Sequence, residues 1–335
     1  MSRQRLTAPA KVNLVLLVGP LQPDGYHPLL SVMAPLELAD EIEVDLAVRP
    51  MEGGGATGDE VRARPDAGVR AAGVTVICPG VAEGMNLADR ALGVLEQESG
   101  WRFQGEVVIH KRIPVAAGLG GGSSDAATVL RAGAAALAAA GGPTLSPRRL
   151  AELGLTLGAD VPFFLASGPH MARGRGERLE AFALPGLPVV LVLPREPLST
   201  GAVYSMYDRI AGSEAMVVFE DRARRARAAW DRLQMDWLEG TLDEKHVPSR
   251  VATLAANDLE RAAFRMVADL GRRRMNLESA GAVAALMSGS GPTMFGIFPS
   301  HGAAVRAGQK LAAQDHRVVV TETGAGSRSP RVPLP

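Results

Sequence analysis

A glycine-rich segment followed by two serines is the part of the sequence whose residue types point most directly to chemistry. It reads Gly118-Leu119-Gly120-Gly121-Gly122-Ser123-Ser124, and strong helix formers follow it over 126–140. Glycine lets backbone N–H groups approach an anion closely, and the N-terminus of a helix adds partial positive charge. The segment therefore predicts a binding site for a triphosphate, with Ser123 and Ser124 offering hydroxyls to a phosphate or to its metal ion. A tight turn without a ligand is the alternative.

Two common nucleotide-binding patterns do not fit this segment. No lysine completes a P-loop. Ser123 stands where a dinucleotide-binding motif has Gly or Ala, and no acidic residue follows about twenty positions later. Any phosphate site here must be of another kind.

Two charged residues lie in apolar surroundings, and the local sequence leaves two interpretations open for each. Asp160 precedes the apolar run 161–165. It could act as a general base toward a substrate hydroxyl, or it could cap a helix. Lys11 stands in an apolar strand, where its ammonium could face Asp160 and a phosphate. Alternatively, it is a lysine at a strand end whose head reaches water.

Two turns are further candidates. Asp24-Gly25 is a tight-turn dipeptide, and Tyr26-His27 after it could stack on a planar base or hydrogen-bond to its edge. A hairpin turn with a half-buried tyrosine is the alternative. The second glycine-rich turn, 288–292, could present backbone donors to an anion or merely connect two strands.

A mixed set of helices and strands must position these residues. Apolar runs and alternation predict strands or strand-like segments at 12–18, 40–46, 74–77, 106–109, 189–193, 281–286, 293–298 and 318–320. Helical spacing and capping residues predict helices at 86–98, 126–140, 147–157, 302–314 and around 202–240 and 251–270. We predict a loop over 49–73 and domains over 1–185 and 186–325, with a flexible tail over 326–335.

Composition excludes several classes of protein. Lys plus Arg and Asp plus Glu each total 36, so no net field attracts nucleic acid or a membrane surface. The single cysteine, Cys78, excludes an intramolecular disulfide framework and a Cys-rich zinc site. The apolar run over 12–18 is too short to span a bilayer. We expect a cytoplasmic protein with a small-molecule substrate, and a homodimer stays an open alternative.

Three segments, in this order, resemble the signature regions of the GHMP kinases. They are Pro9-Ala10-Lys11-Val12-Asn13, Pro114 to Ser124, and Ser288-Gly289-Ser290-Gly291-Pro292. Within that family, Asp24-Gly25-Tyr26-His27 and Leu157 to Pro162 resemble the members that phosphorylate diphosphocytidyl-methylerythritol in the non-mevalonate isoprenoid pathway.

The resemblance implies an α+β fold with two lobes. They would be an N-terminal domain like ribosomal protein S5 and a C-terminal ferredoxin-like domain, with the active site in the cleft between them. It also implies ATP and Mg²⁺ as cofactors, with Asp160 as the base and Lys11 assisting the transfer. The implied ATP-binding residues are Pro114, Val115, Ala116, Ala117, Gly118, Leu119, Gly120, Gly121, Gly122, Ser123, Ser124 and Asn86, the last near the adenine. The implied substrate-binding residues are Asn13, Tyr26, His27, Tyr204, Ser288, Gly289, Ser290 and Gly291, with the three rings around the cytidine.

Other functions are less well supported. A mevalonate or homoserine kinase shares the loop chemistry but does not explain Tyr26-His27. A phosphate-binding module that has lost catalysis does not explain why both Lys11 and Asp160 are present. A nucleic-acid binder finds no support in the net charge.

Overall fold

The computed structural model describes residues 3–51, 70–81, 86–211, 216–314 and 316–324. Most of the loop predicted over 49–73, and the tail predicted over 326–335, lie outside these described residues. Contacts divide the chain into two compact units. Unit 1 comprises Met1–Pro9, Ala39–Val115 and Gly120–Ser167, and unit 2 comprises Ala10–Leu38, Ala116–Leu119 and Gly168–Pro335.

Helices and strands are mixed along the described chain, as the predicted α+β class requires. The strands are β1 (Gln4–Val18), β2 (Leu29–Pro50), β3 (Val74–Ile77), β4 (Trp101–His110), β5 (His170–Gly174), β6 (Arg178–Ala181), β7 (Pro188–Leu193), β8 (Ala256–Asn257), β9 (Ala284–Met287), β10 (Met294–Ile297) and β11 (Arg317–Glu322). The helices are α1 (Leu87–Ser99), α2 (Gly121–Ala139), α3 (Pro147–Leu157), α4 (Val161–Leu165), α5 (Thr200–Ala211), α6 (Met216–Leu238), α7 (Val247–Leu254), α8 (Glu260–Met266), α9 (Asp269–Ser279) and α10 (His301–Ala312). None of the helices in the described ranges is long and apolar enough to cross a membrane.

Unit 1 combines a small sheet with helices α1 to α4. The second half of β2 pairs antiparallel with β4, and β3 pairs parallel with β4. Ile42 and Val44 are buried, which confirms the predicted alternation of this segment. Helices α1 and α2 pack closely because α2 consists largely of small residues. A Cβ added at Gly133 would lie 2.6 Å from Cδ2 of Leu92.

Unit 2 contains a four-stranded antiparallel sheet with the order β11-β7-β10-β9. The first half of β2 pairs with β5, which pairs with β6. Strand β1 is parallel to the short β8, with Leu16 opposite Asn257. The long apolar run of β1 is explained by this position, because Leu16 and Val18 join an apolar core with Val190 and Phe298.

Two helices differ from the prediction. Helix α2 begins at Gly121 rather than at 126, so part of the glycine segment forms its first turn. The helix predicted around 251–270 is interrupted by β8, where the backbone is extended and pairs with β1. The contact-based units also differ from a single boundary near 185, because β1 and β2 each contribute residues to both units. The predicted boundary remains a prediction.

Candidate active site

Lys11 lies in β1 and only 4% of its surface is exposed. Its Nζ atom donates a 2.7 Å hydrogen bond to Oδ1 of Asn13. The alternative of a strand-end lysine whose head reaches water is therefore wrong. A buried ammonium is costly unless oxygen atoms surround it, so this lysine is held in an environment suited to an anionic partner.

A chain of hydrogen bonds fixes the orientation of the Asn13 amide. Nδ2 of Asn13 donates to Oγ of Ser31 over 2.8 Å, and that hydroxyl donates to the carbonyl oxygen of Val15 over 2.7 Å. The carbonyl can only accept, so the serine hydroxyl must accept from the amide nitrogen. Oδ1 of Asn13 consequently faces Lys11. Ser31 was not predicted, and its local sequence gives no signal for this role.

The second glycine-rich turn connects β9 to β10, and it also adjoins Lys11. Gly289 has a φ of +57°, and a Cβ added there would lie 3.1 Å from Nζ of Lys11. The hydroxyl of Ser288 donates to the carbonyl oxygen of Gly118 over 2.9 Å. A Cβ at Gly118 would lie only 2.4 Å from the carbonyl oxygen of Ser288. Unit 2 thus brings together parts of all three signature segments.

Asn257 holds this turn in place. Its Nδ2 donates to the carbonyl oxygens of Met287 and Gly289, over 2.7 and 2.8 Å. Oγ of Ser290 lies 2.8 Å from Oγ1 of Thr200, the first residue of α5. Asn257 was not predicted as a site residue, because its role depends on hydrogen bonds to residues distant in the sequence.

Aromatic rings gather around His27 in unit 2. The centroid of its ring lies 5.1 Å from that of Tyr204 and 6.0 Å from that of Tyr207. Nδ1 of His27 donates to the carbonyl oxygen of Gly19 over 2.8 Å, and Nε2 lies 3.5 Å from Oδ1 of Asp208. Two of the three rings predicted around a cytidine, His27 and Tyr204, are therefore adjacent.

Tyr26 occupies a different environment from His27. It is 53% exposed, and the guanidinium of Arg175 lies 4.1 Å from the centroid of its ring. Asp24 accepts a hydrogen bond from the backbone N–H of Tyr26 and pairs with Arg175, and both contacts lower the pKa of Asp24. Arg175, in the turn between β5 and β6, was not predicted. The contact with Tyr26 is typical of a cation–π interaction.

The glycine segment begins α2 in unit 1. Gly120 occupies the N-cap position with a φ of +73°, and no side chain caps the helix. The first N–H groups of a helix have no partners within it, so they remain available to an anion. Ser124 is fully buried, and its Oγ has no hydrogen-bond partner among the described residues.

Asp160 occupies the N-cap position of α4, but its side chain does not accept a hydrogen bond from that helix. The position is the one that the capping alternative predicts, although the capping hydrogen bond is not formed, so both interpretations of Asp160 stay open. Gly158 lies beside the start of α2, since a Cβ added there would be 3.7 Å from Oγ of Ser123. Unit 1 thus brings the segment before Asp160 close to the serines of the glycine segment.

Unit 1 also contains a cavity of about 470 Å³ next to the start of α1. Val76, Cys78, Asn86 and Asp89 are among its lining residues. Oδ1 of Asn86 accepts from the backbone N–H of Ala88 over 3.0 Å, so Asn86 is the N-cap of α1. Burial raises the pKa of the Cys78 thiol.

No cluster of three or more His, Cys, Asp or Glu side chains suited to a metal ion occurs in the described part of the chain. A metal ion bound by phosphate oxygens does not need such a cluster. The structure thus gives no evidence for a metal site built by the protein alone.

Comparisons with known proteins show the family of the chain. The profile of the GHMP kinases N terminal domain matches residues 86–168, and that of the GHMP kinases C terminal region matches residues 245–316. A 4-diphosphocytidyl-2-C-methyl-D-erythritol kinase of Anaeromyxobacter sp. (strain K) is 40% identical over 92% of this chain and 84% of its own. The protein of that name from Geobacter sulfurreducens is 37% identical over 94% and 96%.

A solved structure extends the similarity to three dimensions. The crystal structure of a 4-(cytidine 5'-diphospho)-2C-methyl-D-erythritol kinase superposes on this chain with a TM-score of 0.65. The two sequences are 33% identical, and the superposition covers 96% of this chain and 100% of the other. The predicted fold class and the predicted family are both confirmed. The chain therefore belongs to the GHMP kinases and, within them, to the family of the 4-diphosphocytidyl-2-C-methyl-D-erythritol kinases.

Proposed function

We propose that the protein transfers the γ-phosphoryl group of ATP to the C2 hydroxyl of 4-diphosphocytidyl-2-C-methyl-D-erythritol. The observation that carries the proposal is the ring pair of His27 and Tyr204, 5.1 Å apart, because aromatic rings offer faces and edges that suit a planar base such as that of cytidine. This pair brings together a residue that follows the turn at Asp24-Gly25 and a residue of helix α5.

Tyr26, His27 and Tyr204 are the residues that we propose for the cytidine. The exposed ring of Tyr26 offers a face on which a base can stack. His27 offers a polar ring edge that can bond to the edge of the base. Asn13 and the turn Ser288 to Gly291 would contact the part of the substrate nearer the reacting hydroxyl.

We propose that the segment Pro114 to Ser124 binds the ATP phosphates. The N-terminus of α2 supports this assignment, because unpaired N–H groups and the helix dipole both favour a phosphate. The cavity beside Asn86 is of a size suited to the adenine. Oxygen donors such as the orphaned hydroxyl of Ser124 fit Mg²⁺, which would neutralise charge on the phosphates.

The transfer is an in-line displacement in this proposal. The C2 oxygen bonds to the γ-phosphorus, while the bond from that phosphorus to the β–γ bridging oxygen breaks and ADP leaves. Asp160 accepts the hydroxyl proton. Lys11 donates hydrogen bonds to oxygen atoms at the reacting centre, and Asn13 keeps its ammonium in place. Because the reaction consumes ATP, we propose a cytoplasmic location, and we propose no nucleic-acid or membrane partner.

The test is ADP release with Mg-ATP and three alcohols in parallel: 4-diphosphocytidyl-2-C-methyl-D-erythritol, mevalonate and homoserine. We expect turnover of the first only. Turnover of mevalonate or homoserine instead would overturn the proposed substrate, while the proposal that the protein is a kinase would stand. Absence of turnover with all three, from protein that binds ATP, would favour a phosphate-binding module.

A further inference from the structure

The glycine segment follows β4, and three charged side chains, of which the two carboxylates are buried and the ammonium partly buried, join the end of that strand to the start of α2. Nζ of Lys111 donates to Oδ2 of Asp40 over 2.6 Å and to Oδ2 of Asp125 over 2.7 Å. Asp40 lies in β2, Lys111 directly after β4, and Asp125 near the start of α2. All three belong to unit 1. We call them the Lys111 cluster.

Asp40 fixes the path of the chain where it enters the glycine segment. One carboxylate oxygen binds Lys111, and the other accepts the backbone N–H groups of Arg112 and Ile113, over 2.5 and 2.8 Å. Asp40 is fully buried. Hydrogen bonds to a charged, buried acceptor are stronger than those between neutral groups, so residues 111–113 are held rigidly.

Asp125 connects the first turns of α2, after the glycine segment, to the ammonium of Lys111. It lies on α2 and is 1% exposed. The helix also packs directly on the lysine, because a Cβ added at Gly121 would lie 3.2 Å from Nζ of Lys111 and 3.0 Å from Cγ2 of Ile113. A side chain at the first residue of α2 would therefore crowd both Lys111 and Ile113.

We infer that Lys111 is a positioning residue for ATP, which sets the spacing between residues 111–113 and the start of α2 through Asp40 and Asp125. The inference rests on the proposed binding of ATP phosphates by that segment. The ammonium does not need to contact ATP in this role. It holds the start of α2 at a fixed distance from residues 111–113, so the N–H groups there keep the geometry that a phosphate requires.

Stability alone does not explain the cluster well. Two buried carboxylates share a single ammonium, and burying such charges commonly stabilises a protein no more than apolar residues of similar size. Oδ1 of Asp125 also has no hydrogen-bond partner among the described residues, so this buried carboxyl is not fully satisfied. What this arrangement does provide is a rigid spacing between the end of β4 and the start of α2.

The test compares Lys111→Met with Arg149→Met. Methionine keeps most of the lysine stem and removes the charge. Arg149 forms an ion pair with Glu98 in the same unit and links α3 to α1, so its variant also removes an ion pair but leaves the glycine segment intact. For each protein, Mg-ATP binding is measured by calorimetry, and KM is measured for ATP and for the alcohol.

We expect Lys111→Met to weaken ATP binding and raise the KM for ATP by about tenfold or more, with the alcohol KM changed less than about twofold. Arg149→Met should leave all three values within about twofold. Unchanged ATP binding in Lys111→Met would overturn the inference, as would an equal loss in Arg149→Met. If Lys111→Met does not fold, Asp125→Ala, which removes the acceptor for Nζ of Lys111, replaces it, and a rise in the ATP dissociation constant of less than about twofold would likewise overturn the inference.

ATP binding also separates this inference from the proposed function. If the wild-type protein binds Mg-ATP but phosphorylates none of the alcohols, the proposed function fails and the calorimetric comparison still decides the role of Lys111. If the wild type phosphorylates 4-diphosphocytidyl-2-C-methyl-D-erythritol and Lys111→Met retains its ATP affinity, only the inference fails.

Discussion

Nζ of Lys11 lies 2.7 Å from Oδ1 of Asn13, and both side chains are almost entirely buried. The opposite end of the same amide donates to Ser31. If the amide turned over, its NH₂ group would face the ammonium, two donors would meet, and the lysine would lose an acceptor. The position of Lys11 therefore depends on a hydroxyl that it does not contact.

Ser31→Ala should lower kcat by about tenfold, because the amide of Asn13 loses the partner that fixes its orientation. KM for either substrate should change less than about twofold. Ser31→Thr, which keeps the hydroxyl, should retain most of the activity. Ser99→Ala is the matched control, since that buried hydroxyl also donates to a backbone carbonyl, in helix α1. Steady-state kinetics decide the matter, and a wild-type kcat in Ser31→Ala would show that the amide needs no such support.

Asp160→Asn should reduce turnover by about a thousandfold or more, because the amide cannot accept the hydroxyl proton. ATP affinity should stay within about twofold. ADP release and calorimetry measure the two quantities, with Glu152→Gln as a control for removing an exposed carboxylate from the same unit. Near-normal turnover in Asp160→Asn would remove this residue from the role of base.

Tyr26→Ala should weaken binding of the cytidine substrate by about 1 to 3 kcal/mol, through lost stacking. The KM for ATP should not change. Tyr26→Phe keeps the ring and should bind the substrate almost as well as the wild type. An unchanged KM for the alcohol in Tyr26→Ala would place the cytidine elsewhere.

Stability should decrease with rising pH through the titration of Asp125. Burial raises the pKa of this carboxyl from 3.8 to about 7, although Lys111 opposes the shift and Asp40 adds to it. Between pH 3.8 and about 7, Asp125 is protonated in the native state but ionised in the unfolded state. The contribution of this carboxyl to the free energy of unfolding is therefore fully present at low pH and is lost as the pH rises toward 7. The loss amounts to at most about 4 kcal/mol.

Urea denaturation of the wild type and of Asp125→Asn at pH 5, 6, 7 and 8 measures this effect. The stability difference between the two proteins should shift in favour of the variant as pH rises, because asparagine does not titrate. Parallel curves across this range would contradict the assignment of the proton to Asp125.

The residues that could be predicted from the sequence are those with a local signal. The glycine segment, Lys11 and the strand alternation around Ile42 follow from residue type and spacing, and the α+β class and the family are confirmed. The roles of the site residues stay predictions. Helix α2 was predicted to start too late, because helix propensity weighs alanine above glycine, although the N-terminus at Gly121 packs against Lys111.

Residues whose function depends on distant partners could not be predicted. Ser31 and Asn257 have ordinary sequence surroundings, and their importance comes from hydrogen bonds to Asn13 and to the turn at Gly289. Arg175 is one of many arginines until the fold brings it over Tyr26. The break in the helix predicted around 251–270 has the same cause, because pairing with β1 overrides the local helical pattern.

The division of the chain among the two units has a consequence for synthesis. The last residue of unit 1 is Ser167, so this unit can be completed before the remainder of the chain has left the ribosome. Unit 2 needs Ala10–Leu38, which precede most of unit 1 in the sequence, and also residues from Gly168 onward, which follow it. Leu16 and Val18 of β1 therefore meet core partners such as Val190 and Phe298 only after those residues have been made, and until then they are exposed to aggregation or to capture by a chaperone.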